Sequence, residues 1–406
     1  MKLLLATNHL GLGGSESYLL TVAEQLDRLG HEAIIYTPEP GEGVGLARER
    51  GLTVLEESEL PDDCDAALVQ DPAVSFQIAD RFAGLPQLFV AHSETFDLQA
   101  PPQLDGTISI AVALNDRIAE RLRSFAVDVE VIRLCQPIDT ERFLARGSLP
   151  EVPRRALLLS NTPSEDRVAM LKSACLDAGL ELTHLGGNAG YVVDPRPALF
   201  GAEIVIGYGR SILEAMACGR AAYVYDWNGG EGWMTAESYP EIEADGISGR
   251  SGRVIVDPAR LSEDLRRYSP TMGPVNHDLV IAHHRAGAHA QRLLELFERL
   301  ASPPARPRGP LQEMARLVRL EWRARVEVQA LGQENAHLRA LLMDADRERM
   351  DVDRERIAAL DRAGKAESER VEGIAAVVRS YEATRSWRLS APFRALGQAI
   401  RARRHR

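Results

Sequence analysis

Apolar and polar residues alternate along the first 145 positions in a pattern that predicts a covered parallel sheet. Five short apolar runs are typical of buried strands, at 3–6, 33–36, 66–69, 87–91 and 109–113. Between the first two, apolar residues recur at helical spacing from Leu19 to Leu29, and Gly30 stands where a C-terminal cap belongs. Strand–helix–strand alternation indicates parallel strands with helices on both faces.

A second alternation of the same kind follows a stretch rich in Gly and Pro at 147–153. Strands are predicted at 157–160, 181–183, 203–206, 221–225 and 253–256, and a closing helix at 277–300. We therefore predict an α/β protein with two Rossmann-like domains, 1–150 and 151–301, which face each other across a cleft. A Pro-rich linker at 302–310 ends this part of the chain.

Two helices of the second half begin with capping signals. The stretch 162–165 combines an N-cap threonine, a first-turn proline and a capping-box glutamate. Ser211 and Glu214 have the spacing of a second capping box, and Gly219 would end the short helix that it opens. Both helices are therefore predicted to start at the carboxyl edge of the second sheet.

Residues 311–383 form a long segment rich in Glu, Arg, Ala and Leu. A heptad a/d register runs through Val328, Leu331, Asn335, Leu338, Leu342 and Ala345. A lone asparagine at an a position fixes register and favours few strands, so we predict a coiled coil that makes a homodimer. The register weakens at Arg349 and Arg356, which leaves a single solvated helix as the alternative.

Composition narrows the function classes. The chain has 406 residues, of which 45% are hydrophobic, and a net charge of −11 that argues against nucleic-acid binding. Its four cysteines lie far apart without a C-x-x-C pair, so a disulfide framework is not expected and a reducing cytosol fits. No apolar run has the length of a signal peptide or a bilayer span, so we expect a cytoplasmic protein.

The end of the chain, 384–406, is basic. Seven arginines follow Glu382 and no acidic residue does, and Trp387 and Phe393 stand among them. Aromatic side chains beside arginines suit anionic lipid headgroups, so peripheral binding to the inner face of the membrane is expected. The alternative is a disordered, solubilising tail.

The turn after the first strand contains Gly13 and Gly14, followed by Ser15 and Glu16. Glycines let a backbone approach a ligand closely, and Ser15 could cap the helix whose free N–H groups would meet an anion. A dinucleotide fingerprint needs glycine where Glu16 stands, and the second strand does not end in an acidic residue, which disfavours NAD. The alternative is a plain tight turn.

The stretch from Gly209 to Gly219 follows an apolar strand and opens a helix. Ligands bind in doubly wound folds at this edge, where the helix dipole and the first amides suit a diphosphate. Glu214 lies one turn into the helix, where its carboxylate could accept from the two hydroxyls of a ribose. The alternative is that Glu214 only completes the capping box.

Three motifs together resemble family 4 of the glycosyltransferases, which have the GT-B fold. They are the turn at 13–16 with the following Gly30-His31, the segment from Gln136 to Phe143, and the stretch from Gly209 to Gly219. The last includes Glu-Ala-Met-Ala-Cys-Gly and is the most specific of the three. The resemblance covers roughly residues 1 to 300.

This resemblance implies a retaining transfer from a nucleotide-sugar donor to a hydroxyl of a glycan or lipid-linked acceptor, with no essential metal and no other cofactor. His92, after a strand of the first domain, matches a histidine that contacts the transferred sugar, although a lone histidine there is often a loop residue. The donor-binding residues that it implies are Gly13, Gly14, Gly209, Arg210, Ser211 and Glu214.

Two departures from the family pattern stand out. Ile206 occupies the position of a glutamate eight residues before Glu214, and the stretch 160–163 lacks the Arg and Lys expected beside the diphosphate. Because leaving-group charge must be stabilised, we predict that Arg167 or Arg210 supplies it. The departures favour a second hypothesis, a degenerate scaffold that binds a nucleotide or glycan without turnover.

Two further patterns are weaker indicators of function. The four histidines at 277, 283, 284 and 289 lack the i, i+4 spacing of a helical zinc site, so we predict that they line an exposed helix face. The glycine-rich segment 227–233 is typical of a hinged cleft loop, in which a tryptophan either stacks on a sugar or base or packs in the core.

Overall fold

The protein is described by a computed structural model that covers residues 1–56, 59–125, 129–161, 165–187, 192, 194–226, 229–250, 258–300 and 307–404. The chain forms two compact units, Met1–Arg323 and Ala324–Arg406. Within these residues no helix combines the length and the apolar character that a membrane span requires. The predicted strand at 253–256 and the capping stretch at 162–164 lie outside the described residues.

The first half of the larger unit is a parallel sheet. Its strands are β1 Lys2–Ala6, β3 Glu32–Thr37, β5 Thr53–Glu56, β6 Ala66–Val69, β7 Gln87–Ala91, β8 Ile110–Ala113 and β9 Glu130–Arg133, beside the short pair β2 His9–Leu10 and β4 Glu39–Pro40. The strand order is β5-β3-β1-β6-β7-β8-β9. The helices are α1 Gly14–Arg28, α2 Gly43–Glu49, α3 Pro72–Arg81 and α4 Asp116–Ser124, with a 3₁₀ turn at Asp97–Gln99.

All five strands predicted in this half are present, because each is an apolar run buried on both faces. Alternate residues of β1 show this: Leu3 and Leu5 enter one core cluster, whereas Leu4 and Ala6 enter the cluster on the opposite face. The edge strands β5 and β9 were not predicted. They are short and partly exposed, and their sequences carry charged residues at the ends.

The second half is a smaller sheet of β10 Arg155–Leu159, β11 Glu181–Leu185, β12 Ile204–Gly207, β13 Ala221–Asp226 and β14 Gly229–Trp233. Its order is β11-β10-β12-β13-β14, and all pairs are parallel except β13 with β14. The helices are α5 Glu165–Asp177, α6 Arg196–Gly201, α7 Arg210–Ala217, α8 Tyr239–Ala244, α9 Pro258–Leu265 and α10 Met272–His283.

The glycine-rich segment predicted as a cleft loop is instead the antiparallel strand β14 from Gly229 onward. Trp233 donates its indole N–H to the carbonyl oxygen of Asp264 at 2.8 Å and packs edge-on against Tyr223. The structure therefore selects the packing alternative for Trp233. Trp227 lies outside the described residues.

The predicted closing helix is two helices, α10 and α11 Ala286–Arg299. They break where Ile138 forms a parallel bridge with Arg285. The apolar face of α11 does not stay with the second half: Leu293 and Phe297 pack into the core of the first half, beside α1. The chain thus crosses between the halves twice, first near Ile138 and again near Arg285, and the bridge between these residues places the two crossings side by side.

The prediction of an exposed histidine face is wrong. His284 and His289 are only 1% and 7% exposed, and burial lowers the pKa of both, that of His289 to about 4. His284 Nδ1 lies 2.7 Å from the carbonyl oxygen of Gln136, and His289 Nδ1 lies 3.0 Å from that of Cys135. A carbonyl oxygen only accepts, so Nδ1 carries the proton in each ring.

The remaining ring nitrogens are paired as well, since His284 Nε2 accepts from the Tyr239 hydroxyl and His289 Nε2 from the Tyr18 hydroxyl, both at 2.8 Å. The two histidines therefore fix the first crossing between the halves and are core hydrogen-bonding residues. Among the described residues, no group of three or more His, Cys, Asp or Glu side chains is placed to hold a metal ion.

The long segment after the Pro-rich stretch is the helix α12 Leu311–Glu382. Its first turns belong to the larger unit: Leu311 and Ala315 are buried against Phe76 and Ala79 of α3. Trp322 then meets Phe96 edge to face, with ring centroids 5.5 Å apart. The globular part of the chain consequently extends to Arg323, beyond the Pro-rich stretch.

The smaller unit contains the rest of α12, followed by α13 Arg385–Leu389 and α14 Ala391–Arg404. The predicted heptad side chains are exposed on a continuous helix, with Val328 69% and Leu342 66% exposed. In the tail, the Arg394 guanidinium covers the Trp387 ring at 3.5 Å from its centroid. The described part of the tail is helical, and Arg394 of α14 packs over Trp387 of α13.

Candidate functional site

A cavity of about 500 Å³ lies between the carboxyl edges of the two sheets. Both halves of the larger unit contribute to its walls. The first half provides Gly13, Gly14, Arg50 and His92, and the second half provides Gly209, Arg210, Ser211 and Glu214. Every donor-binding residue predicted from the sequence, except Arg167, thus lines one cavity.

The glycine turn after β1 brings the start of α1 to this cavity. Gly13 is the N-cap and the helix begins at Gly14, so Ser15 does not cap it as predicted. The Ser15 hydroxyl instead donates to Glu16 at 2.9 Å. A Cβ atom at Gly13 would stand 2.5 Å from a carboxylate oxygen of Glu16, so a side chain there would require the Glu16 side chain to shift.

The helix α7 begins at the opposite wall. Gly209 precedes it with φ +55°, a left-handed conformation that glycine adopts without strain, and its N–H donates to the carbonyl oxygen of Ile247. The predicted capping box is absent, since the Ser211 hydroxyl donates to the Tyr208 carbonyl oxygen at 2.8 Å. The first N–H groups of α7 therefore have no side-chain cap and face the cavity.

Glu214 is paired with Arg210 one turn earlier. Arg210 Nε lies 2.8 Å from Glu214 Oε1, and each side chain is 12% exposed. Burial raises the pKa of the Glu214 carboxyl, and the charge of Arg210 opposes this shift. The remaining guanidinium nitrogens of Arg210 donate to the Pro137 carbonyl oxygen at 3.0 Å and the Thr21 hydroxyl at 3.3 Å. Arg210 thus ties α7 to α1 and to the first crossing.

His92 follows β7 and reaches the cavity as an uncharged ring. Burial, reinforced by the charge of Arg210, lowers its pKa to about 3. The Gln70 amide nitrogen donates to the Ser15 carbonyl oxygen at 3.1 Å, which fixes the orientation of the amide. The same nitrogen lies 2.9 Å from His92 Nε2, so that ring atom accepts and the proton is on Nδ1.

Two sequence-predicted positions lie away from the cavity wall. Arg167 on α5 donates to the Tyr225 hydroxyl at 3.1 Å and is not among the described residues that line the cavity. Ile206, at the position of the glutamate of the resembled family, is fully buried in the core of the second half. At the end of β10, Ser160 and Asn161 line the cavity without a positive charge.

Sequence reasoning missed a charged cluster on the first-half wall. Glu24 of α1 is 8% exposed and accepts from Arg142 Nη2 at 2.6 Å, and its other oxygen lies 3.7 Å from Arg50 Nη1. Asp139 accepts from the backbone N–H groups of Glu141 and Arg142. Asp139 lies in the crossing motif that the sequence singled out, whereas Arg50 follows a short helix that carries no recognisable pattern.

Ion pairs between the two halves rim the cavity. Arg117 pairs with Asp245, and Glu94 pairs with Arg250. Farther out, Arg133 of β9 donates to both oxygens of Glu243, at 2.6 and 2.7 Å. Each pair joins residues more than 100 positions apart, so no local sequence signal predicts them. They hold the halves together around the cavity.

Comparisons with known proteins bear on the fold. A scan of protein-family models and a search of curated proteins found no match. HepE from Anabaena, solved with UDP and glucose, is similar at a TM-score of 0.53 and 12% identity, over 73% of this chain and 99% of HepE. The structure of HepE with UDP has a TM-score of 0.53 and 12% identity, over 74% of this chain and 100% of HepE. A glycosyltransferase from Rickettsia africae has a TM-score of 0.48 and 13% identity, over 74% of this chain and 98% of the Rickettsia protein.

The fold is GT-B. Two Rossmann-like halves face one cavity, and the match with HepE covers nearly the whole of that protein. The α/β architecture predicted from the sequence is confirmed, together with the long helix that follows it. At 12% identity the likeness to HepE describes architecture, so the chemistry of this cavity rests on its own residues.

Proposed function

We propose that this chain is a retaining glycosyltransferase of the family 4 type, which moves a sugar from a nucleotide-sugar donor to a glycan or lipid-linked acceptor. The observation that carries the proposal is the single cavity in which the Gly13-Gly14 turn faces the start of α7 and Glu214. The solved complexes of HepE contain UDP and glucose, which supports a donor of this class. The pathway that fits is bacterial surface-polysaccharide assembly.

In the proposed binding mode, the uncapped N–H groups of Arg210 and Ser211 hold the diphosphate, and the helix dipole adds to their attraction. The Glu214 carboxylate accepts from the ribose hydroxyls. Because Arg210 already occupies one of its oxygens, ribose binding uses the remaining acceptor capacity of the same carboxylate. No metal takes part in this mode.

The proposed chemistry is front-face displacement. The acceptor oxygen bonds to the anomeric carbon on the face from which the diphosphate departs, and the hydroxyl proton passes to the departing diphosphate oxygen. His92 stays uncharged at neutral pH, so it would hydrogen-bond to the transferred sugar without adding a positive charge. The anionic leaving group then depends on α7 and on nearby arginines.

A second candidate function is a scaffold that binds a nucleotide or glycan without turnover. It is favoured by Ile206 in the core and by Ser160 and Asn161 where cations are expected. A thermal-shift screen of the full chain against UDP, GDP, ADP and their sugars tests the donor binding that the transferase requires. A ligand at 100 times its Kd should raise stability by ~2.7 kcal/mol. If no nucleotide or nucleotide-sugar shifts the melting temperature, the transferase and the nucleotide-binding scaffold both fail, and only a glycan-binding scaffold remains.

The smaller unit exposes two sets of apolar side chains, one on α12 and one on α14. The exposed stripe of Val328, Leu331, Leu338 and Leu342 fits a second copy of α12, with Asn335 in the middle of the seam. On α14, Phe393, Leu396 and Ile400 are exposed at helical spacing beside arginines, which suits the surface of an anionic membrane. We propose a cytoplasmic homodimer that binds peripherally to the inner face of the membrane.

A further inference from the structure

The guanidinium of Arg50 lines the cavity without a hydrogen-bonding partner among the described residues. Its Nε is buried and unpaired, and its ion-pair partner is Glu24, at 3.7 Å from Nη1. That separation is too long for a hydrogen bond. The side chain is 15% exposed, so solvent reaches only part of a group that has five donors. A half-buried guanidinium with unused donors at a cavity wall indicates a ligand that accepts.

The other arginines near the cavity already use their donors. Arg210 binds Glu214, the Pro137 carbonyl oxygen and the Thr21 hydroxyl. Arg142 donates to Glu24 at 2.6 Å, and Arg167 donates to Tyr225 away from the wall. Among the arginines that the structure describes in the cavity wall, Arg50 therefore has the most donors left for a bound molecule.

Local structure fixes the position of Arg50. It is the C-cap of α2, and its backbone N–H donates to the carbonyl oxygens of Leu46 and Ala47. Gly51 follows with φ +78°, which turns the chain into β5. The backbone is thus held on both sides, so the guanidinium is presented from a fixed point at the end of the helix.

Arg50 lies among charges of both signs. Arg50 and Arg142 both pair with Glu24, whose pKa is raised by burial, and Arg142 also pairs with Asp139 at 3.5 Å. The pKa of Arg50 is lowered by burial first and then by the charge of Arg142, with Arg210 adding to the effect. A dianionic ligand at this point would relieve the repulsion among these cations.

We propose that Arg50 is a phosphate-binding residue, which donates from the first-half wall to the donor diphosphate and replaces the cations missing after β10. This inference rests on the proposed function and assigns leaving-group stabilisation to the opposite domain. Arginine suits the role because its planar fork can bind a phosphate through two donors. The same subsite could bind a phosphate of a lipid-linked acceptor, and the two sources are separable.

The test is isothermal titration calorimetry of the full chain with UDP, uridine and pyrophosphate. We expect Arg50→Met to weaken UDP binding about tenfold to a hundredfold, and to leave uridine binding unchanged. The UDP affinity of Arg50→Lys should lie between those of the wild type and Arg50→Met, because an ammonium group keeps the charge but lacks the planar pair of donors of a guanidinium. Arg28→Met is the matched control, since Arg28 lies beside Asp139 and Glu141 outside the cavity wall. Melting curves without ligand verify that each variant folds.

Each possible result of these titrations either supports or excludes a phosphate subsite at Arg50. If Arg50→Met binds both UDP and pyrophosphate as the wild type does, the subsite is wrong. If the wild type does not bind pyrophosphate, the subsite is wrong as well. If only pyrophosphate binding depends on Arg50, the phosphate subsite is supported and its source is not the donor. If the wild type binds pyrophosphate through Arg50 but binds no nucleotide, the subsite stands while the proposed function fails.

Discussion

Arg210 and Glu214 neutralise each other inside the cavity, one helical turn apart and 2.8 Å from nitrogen to oxygen. The pair joins the residue expected to hold the donor ribose to a residue that also binds α1 and the first crossing. Donor binding and the contact between the two halves therefore share one ion pair. A substitution of either residue should affect both donor binding and the contact between the two halves, in different proportions.

Glu214→Gln should weaken nucleoside-diphosphate binding roughly tenfold, because the charge-assisted acceptor is lost and the shape is kept. Melting temperature should change little, since Arg210 keeps its contacts with Pro137 and Thr21. Calorimetry with UDP gives the affinity, and Glu241→Gln on the exposed surface of α8 is the control. Loss of thermal stability with unchanged UDP affinity would assign Glu214 a structural role alone.

Arg210→Ala should reduce both stability and nucleotide affinity, whereas Arg167→Ala should leave affinity near that of the wild type. Removing Arg210 leaves the buried Glu214 carboxylate without its partner, at a cost on the order of 1–3 kcal/mol. Arg167 contacts Tyr225 and lies off the cavity wall. Denaturant melts and UDP titrations of both variants measure the two effects. Unchanged affinity in both single variants and in the double variant would contradict a phosphate role for either arginine.

Stability should fall as the pH drops below 6.5, because folding lowers the pKa of buried histidines. Burial lowers the pKa of His289 from 6.5 to about 4, so the unfolded chain takes up the proton first. The contribution is complete above 6.5 and is lost as the pH falls towards 4, at ~1.4 kcal/mol per pH unit for one histidine. Urea melts from pH 7 to 5 measure the slope, with the exposed His283→Gln as control. A slope that does not change in His289→Gln would contradict the assignment.

The coiled-coil stripe and the tail should act together at a membrane. A dimer places two copies of α14 on one particle, and two tethered basic helices gain avidity over one. Leu338→Asp should give a monomer that binds anionic vesicles weakly, whereas Ala340→Glu, on the outer side of the heptad, should stay dimeric. Light scattering gives the mass, and vesicle sedimentation at low and high salt gives the membrane binding.

A truncation after Arg323 provides the complementary measurement for the smaller unit. This boundary is preferable to one after the Pro-rich stretch, because Leu311 and Ala315 are buried against α3. The remaining protein should be a folded monomer that still binds its nucleotide. A full-length monomer, or vesicle binding that survives this truncation, would contradict the assignment of dimer and membrane contacts to the smaller unit.

The sequence predicted the central strands and the residues at the two helix starts, because both produce local patterns. Buried parallel strands are uninterrupted apolar runs, and the glycines at 13 and 209 stand directly after them. Strands β5, β9 and β14 were missed because partial exposure or glycine replaces that pattern. The two Rossmann-like halves were predicted because strand and helix patterns alternate twice along the chain.

The parts that sequence reasoning missed depend on contacts between distant positions. His284 bonds a carbonyl oxygen 148 residues away, so its burial leaves no periodic signal, and lack of zinc spacing was mistaken for exposure. Arg50 and Glu24 are likewise ordinary charged residues of short local segments. Only the fold, which brings α1, α2 and the first crossing together, turns them into a cluster at the cavity.

Turnover by the full-length protein decides between a transferase and a scaffold. Purified wild type is incubated with UDP-, GDP- and ADP-sugars and a bacterial lipid-linked glycan extract, and release of the nucleoside diphosphate is followed over time. We expect that one donor is consumed only when acceptor is present, and that His92→Ala releases the nucleoside diphosphate about tenfold more slowly or slower still. Nucleotide binding without acceptor-dependent release from any donor would contradict a transferase and support the scaffold instead.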